Sequence, residues 1–98
     1  MPTTRWTPPA GFDNAREAFA MGSDTNRLRI LLLLDQGPRN GQELLADLAT
    51  SQPALSVNLR HLRGSGLVTG DRDGKFVYNT ITDRGRALVA AYRSLVAD

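Results

Sequence analysis

The chain has no cysteine, and among its 98 residues there is a single histidine, His61. The first absence excludes disulfides, thiolate nucleophiles, a cysteine-based redox switch and cysteine-ligated zinc or iron–sulfur centres. The second excludes a histidine cluster or a His-based triad within one chain. Long apolar runs are missing too: Ile30-Leu31-Leu32-Leu33-Leu34 is five residues long, against about 20 for a bilayer span. The opening segment Met1-Pro2-Thr3-Thr4-Arg5-Trp6-Thr7-Pro8-Pro9 lacks the apolar centre of a secretion signal, so the expected location is cytoplasmic, with no membrane partner. Paired carboxylates in a cleft, an activated nucleophile and a phosphate-binding glycine loop are all lacking, so an enzyme is not expected and no cofactor is implied. Length excludes large barrels, two-domain enzymes and repeat arrays, because 98 residues sustain one modest core.

What is present is unevenly charged. Residues 1–51 carry five Arg against six Asp and Glu, whereas residues 52–86 carry six Arg and Lys against Asp71, Asp73 and Asp83. The positive charge therefore gathers in the second half, which suits a polyanionic partner weakly and a solvated face equally well.

Three prolines in residues 1–10 forbid a stable helix and predict a flexible arm, with residues 11–98 as the folded domain. Trp6 is expected to pack back on the domain or on a second subunit. Phe12, Ala15, Phe19 and Ala20 fall at helical spacing. Asp24 can cap a second helix, Thr25 to about Gln36, that is apolar round most of its circumference and should form the centre of the core. Asn40 and Glu43 have the spacing of a capping box for a short helix burying Leu44, Leu45 and Leu48. Ser51 caps the next helix, with Pro53 in its first turn, an apolar stripe of Leu55, Leu59 and Leu62, and a polar face. Then the period changes to two: Leu67–Thr69 and Phe76–Ile81 read as strands, joined by the turn-rich Gly70–Lys75. Thr82-Asp83 can cap a last helix carrying Leu88, Val89, Tyr92, Leu95 and Val96.

The order predicts a mainly α protein with a small β-hairpin wing (α+β), a winged helix-turn-helix. In that fold the second helix of the pair presents hydrogen-bonding groups and arginines to DNA while its other face is held by the core. Gln52, Ser56, Asn58 and Arg60 are the candidates on that helix, and Arg72 and Lys75 on the wing. His61 is expected to be a surface residue, with a phosphate contact and a pH sensor as alternatives. Phe12/Ala15/Phe19 and Leu88/Tyr92/Leu95 form two stripes that one small core cannot bury, which predicts a homodimer through the first and last helices. An aromatic effector pocket at that interface is the less economical explanation. The alternative function is a winged-helix module that binds protein, as an assembly part or a co-regulator, since fold alone does not decide. A polar reading face favours DNA.

Several stretches resemble the ArsR/SmtB-type bacterial repressors. Asp24-Thr25-Asn26-Arg27-Leu28-Arg29-Ile30-Leu31 is similar to their opening core helix, and Ser51-Gln52-Pro53-Ala54-Leu55-Ser56-Val57-Asn58-Leu59-Arg60-His61-Leu62-Arg63 to their recognition helix. Gly66-Leu67-Val68, Arg72-Asp73-Gly74-Lys75 and Tyr78 resemble their wing, and Thr82-Asp83-Arg84-Gly85 their entry to the closing helix. The resemblance implies a dimeric repressor of an operator that is an imperfect inverted repeat, with Ser51 and Gln52 at phosphate and base edges and Ser56 as a contact. Val57 stands where the family usually has a long polar or basic side chain, and Asn58 where histidine is common, departures that bear on which operator is read. Many members sense metal through a cysteine pair where this chain has Gln42-Glu43-Leu44-Leu45-Ala46-Asp47, or through a set on the last helix, which here offers Asp83 and Asp98 and no histidine. A soft-metal site is therefore not expected.

Overall fold

The computed structural model describes residues 5–97; Met1–Thr4 of the expected arm, and Asp98, lie outside the described residues. Arg5 to Ala10 form no helix or strand and are exposed. Trp6 nevertheless sets its ring edge-on to Phe12, centroids 5.5 Å apart, so the arm packs back on the first helix. The elements are α1 (Phe12–Gly22), α2 (Thr25–Leu34), β1 (Arg39–Asn40), α3 (Gly41–Asp47), α4 (Gln52–Gly64), β2 (Val68–Asp73), β3 (Phe76–Ile81) and α5 (Asp83–Val96).

Among the described residues, side chains start four of the five helices. Asp24 accepts from the N–H groups of Asn26 and Arg27, each at 3.1 Å. Asn40 and Glu43 close a reciprocal box: the Glu43 N–H donates to Asn40 Oδ1 (2.9 Å) and the Asn40 N–H to Glu43 Oε1 (3.0 Å). Ser51 Oγ accepts from Ala54 N–H at 3.2 Å, and Thr82 Oγ1 from Gly85 N–H at 3.1 Å. Caps of this kind stabilise by about 0.5–2 kcal/mol each. They also place helix starts within a residue, and α4 owes its position to one.

Ile30, Leu31 and Leu34 of α2 are buried at the middle of the core, against Leu44 of α3, the α4 stripe Leu55–Leu59–Leu62, Leu67 and Val68 entering the wing, Ile81 of β3 and Val89 of α5. From α1 only Ala18 and Gly22 are buried. Leu45 of α3 and Leu48, which follows its last residue in extended conformation, are only partly covered. Arg27 of α2 is half-buried. Its Nε donates to the Met21 carbonyl at 2.6 Å and so satisfies an orphan acceptor at the end of α1. Arg84, at the start of α5, bonds the Ser65 carbonyl (3.0 Å) and the Asn14 carbonyl (2.9 Å) and side chain, tying α1 to the end of α4.

The wing differs from its expected form in two ways. It belongs to a three-stranded antiparallel sheet in the order β1-β3-β2, because Arg39 and Asn40 pair with Asn79 and Tyr78. And β2 continues through Gly70-Asp71-Arg72-Asp73, with Asp73 opposite Phe76. The turn is thus Gly74-Lys75 alone, with Gly74 at φ 64°, the first central position where a two-residue hairpin favours glycine. Arg72 is a strand residue opposite Val77, not a turn residue. Among the described residues no helix is long and apolar enough to cross a membrane.

Candidate nucleic-acid interface

The α3–turn–α4 pair and the wing enclose a cleft of about 560 Å³. Its wall from α4 carries Gln52, Ser56, Arg60 and Arg63, and its wall from the wing carries Lys75, Phe76, Val77 and Asn79. Among the described residues, three cations and no carboxylate line it. Among the described residues, Arg60, Arg63, Arg72 and Lys75 form no ion pair, the four pairs present being Arg16–Asp13, Arg39–Asp47, Arg86–Asp83 and Arg93–Asp35. Unneutralised cations facing one opening set up a field that attracts an anion. Lys75 also lies 5.4 Å from the Phe76 ring centroid, which steadies its stem at the tip.

The α4 face follows from helix geometry. At about 100° per residue, Gln52, Ser56 and Arg60 fall one turn apart along one side, and all three are exposed. The expectation that Asn58 shares this face is corrected: it stands about 200° round from Ser56. It is half-buried, in a crevice with Asn26 and Arg29 of α2 and Thr50 of the turn. Ser51 caps α4 through Oγ as an acceptor, leaving its hydroxyl proton to donate outward beside the helix N-terminus. Arg72 is exposed on β2, outside the cleft lining. His61 is exposed on the outer side of α4. The structure thus brings together Gln52, Ser56, Arg60 and Lys75, sets Arg72 on the wing opposite Val77 of the cleft wall, and leaves Asn58 on the other flank of α4.

Two residues that hold this site were not singled out by the sequence pattern. Asn79, 1% exposed, accepts from Arg63 Nη2 and donates to the Arg39 carbonyl at 3.1 Å, joining α4, β3 and β1 through one buried amide. A Cβ on Gly70 would sit 3.0 Å from Arg63 Nε and 3.1 Å from Val77 Cγ1, so glycine lets the guanidinium lie against the strand. Arg63 is therefore a strut between helix and wing. Period-two alternation carried the signal: Asn79 sits between Val77 and Ile81 on the inward-facing register.

The dimer candidates sit elsewhere. Ala15 and Phe19 of α1 and Leu88 of α5 line one shallow groove of about 180 Å³ with Ala18, Ala87 and Arg84. Tyr92 is half-buried and Phe12 exposed, and Leu95 is 86% exposed. Among the described residues no three His, Asp or Glu side chains come together as a metal site.

A capped helix-turn-helix with a polar, cationic second helix, flanked by a two-stranded wing, defines a winged helix-turn-helix DNA-binding protein. The profile of the bacterial regulatory protein arsR family matches residues 24–69, from the cap of α2 into β2. A probable mercury resistance operon repressor of Streptomyces lividans is 34% identical over 88% of this chain and 70% of its own length. The transcriptional repressor SmtB of Mycobacterium tuberculosis is 34% identical over 84% of this chain, which spans 62% of that protein. Among solved structures, HlyU from Vibrio cholerae superposes with a TM-score of 0.84 at 26% identity, over 93% of this chain and 100% of that one. The chain belongs to the ArsR family, and is a DNA-binding transcriptional regulator rather than an enzyme.

Proposed function

We propose that the chain acts in the cytoplasm as a homodimeric repressor of an imperfect inverted-repeat operator. In this reading α4 lies in the major groove of each half-site, with Gln52, Ser56 and Arg60 at base edges and Ser51 at a phosphate, while Lys75 and Arg72 on the wing meet backbone or minor groove beside it. The observation that carries it is the cleft between α4 and the wing, lined by three cations and no carboxylate. The Asn58 side chain is left out of the base-reading set because it stands on the other flank. The arm continues the dimer face through Trp6 on Phe12.

The roles separate by measurement of operator and random-duplex affinities across a salt series. Gln52→Ala or Ser56→Ala is expected to cost about 1–3 kcal/mol on the operator and little on random DNA. Asn58→Ala is expected to change either by less than about twofold. Lys75→Ala or Arg72→Ala should weaken both evenly and shallow the salt slope by about one unit per lost phosphate contact. Wing variants with unchanged affinity and slope on bound DNA remove the wing from the interface. If no substitution matters on any DNA, a protein-binding module becomes the better account.

The same reading gives this chain no soft-metal sensor, since it has no cysteine and one histidine, placed on α4. Calorimetric titration of untagged protein with zinc, nickel and copper is expected to show no submicromolar stoichiometric site, and such a site would contradict it.

A further inference from the structure

Among the described residues six large apolar side chains remain exposed: Trp6, Phe12, Phe19, Val57, Leu95 and Val96. Five lie on α1, on α5 or in the arm before α1, where the partner subunit is placed. Val57 alone belongs to α4, and it is 43% exposed. By helix geometry it stands nearly opposite the buried stripe Leu55–Leu59–Leu62, between the Ser56–Arg60 face and His61. This outer pole is the part of a reading helix that goes deepest into a major groove. Pro53, one turn earlier on the same line, is also exposed and has no N–H to offer a base.

We propose that Val57 is a specificity-determining residue that packs against the C5-methyl group of a thymine, so that each operator half-site carries thymine at the base pair facing it. This rests on α4 being the major-groove helix. In that groove the thymine methyl is the one methyl group an unmodified base pair presents; the other features that side chains read are hydrogen-bond donors and acceptors, and cytosine offers only a small C5–H where thymine has its methyl. An isopropyl group pressed on a guanine or cytosine edge removes water and replaces none of its hydrogen bonds, which is unfavourable. Against the methyl, both partners lose apolar surface to each other. Valine on a helix is held to essentially one χ1 rotamer, so it does not swing aside to accept another base. Selection for thymine and against G·C thus come from the same side chain.

The probe is the duplex that the full chain enriches from random DNA. Each thymine in turn is replaced by deoxyuridine in both half-sites, which deletes only the methyl, and affinity is measured for the wild-type chain and for Val57→Ser. One position per half-site is expected to cost the wild type about fourfold per methyl lost, or about 15-fold for the pair, the Boltzmann factor of a buried methylene. The same replacement should cost Val57→Ser less than about twofold. At that position 5-methylcytosine should bind the wild type better than cytosine. A wild type insensitive to deoxyuridine everywhere, or a penalty equal in both proteins, overturns the role of Val57 and leaves α4 as the reading helix. Failure of that underlying reading shows separately, as operator binding untouched by Gln52→Ala and Ser56→Ala; enrichment of no duplex overturns both.

Discussion

Phe19→Glu combined with Leu95→Glu is expected to convert the proposed dimer into a folded monomer and to lower operator affinity by at least about a hundredfold, the advantage that linking two half-site contacts supplies. The expectation follows from where the fold runs out of partners. In α1 only Ala18 and Gly22 are buried, while Phe19 is 59% exposed and Leu95 86% exposed. Apolar patches of this kind on a small domain mark an interaction surface. A carboxylate at either position meets water in the monomer at little cost, but in a dimer it must be desolvated without a partner. Leu88 is the wrong choice for this test although it lies on the same stripe. Its Cδ1 is 2.7 Å from where a Cβ on Gly22 would be, so its loss would disturb the α1–α5 packing itself. Sedimentation velocity at micromolar concentration, with circular dichroism to confirm folding, decides the matter. A monomeric wild type, or a double variant that still dimerises, contradicts it.

The second large effect is on stability. Gly85→Ala is expected to lower the melting temperature by roughly 10 °C, a net loss of about 2 kcal/mol. A Cβ there would lie 2.4 Å from the Leu67 carbonyl oxygen and 2.6 Å from Ile81 Cγ1. The oxygen cannot give way freely, because it accepts the Thr82 N–H at 3.0 Å and so joins the end of α4 to the start of α5. Alanine is the better helix former by about 1 kcal/mol, but an overlap with fixed backbone outweighs that gain. Gly64→Ala is the control: it is also helical, and nothing lies within 4 Å of an added Cβ. Thermal melts of the two variants should move in opposite directions or leave Gly64→Ala unchanged; equal shifts would show that packing at Gly85 is not the cause.

Local chemistry made most of the fold legible. The caps at Asp24, Asn40, Ser51 and Thr82 are short-range signals, and each marks the start of a helix. The strand β1 was not legible, because two residues, Arg39 and Asn40, carry no period and are strand only through pairing with β3, some 40 positions on. The length of β2 was misleading for a related reason. Gly70-Asp71-Arg72-Asp73 has the composition of a turn, yet it is paired because β3 supplies a continuous edge and because Gly70 makes room for Arg63. The placement of Asn58 was available in principle: residues two apart on a helix do not share a face, and Ser56 already occupied the one beside the wing. Val57 was visible as a departure from the resemblance, but that it stays exposed while the other large apolar side chains of α4 are buried is a property of the folded chain.

Selection of bound sequences from random duplex DNA by the full chain tests the central claim most directly. The predicted result is an enriched imperfect inverted repeat, its half-site centres separated by about 10 base pairs or a multiple of that, as two symmetry-related reading helices require. Enrichment of no sequence, or of a single unrepeated element, would contradict it.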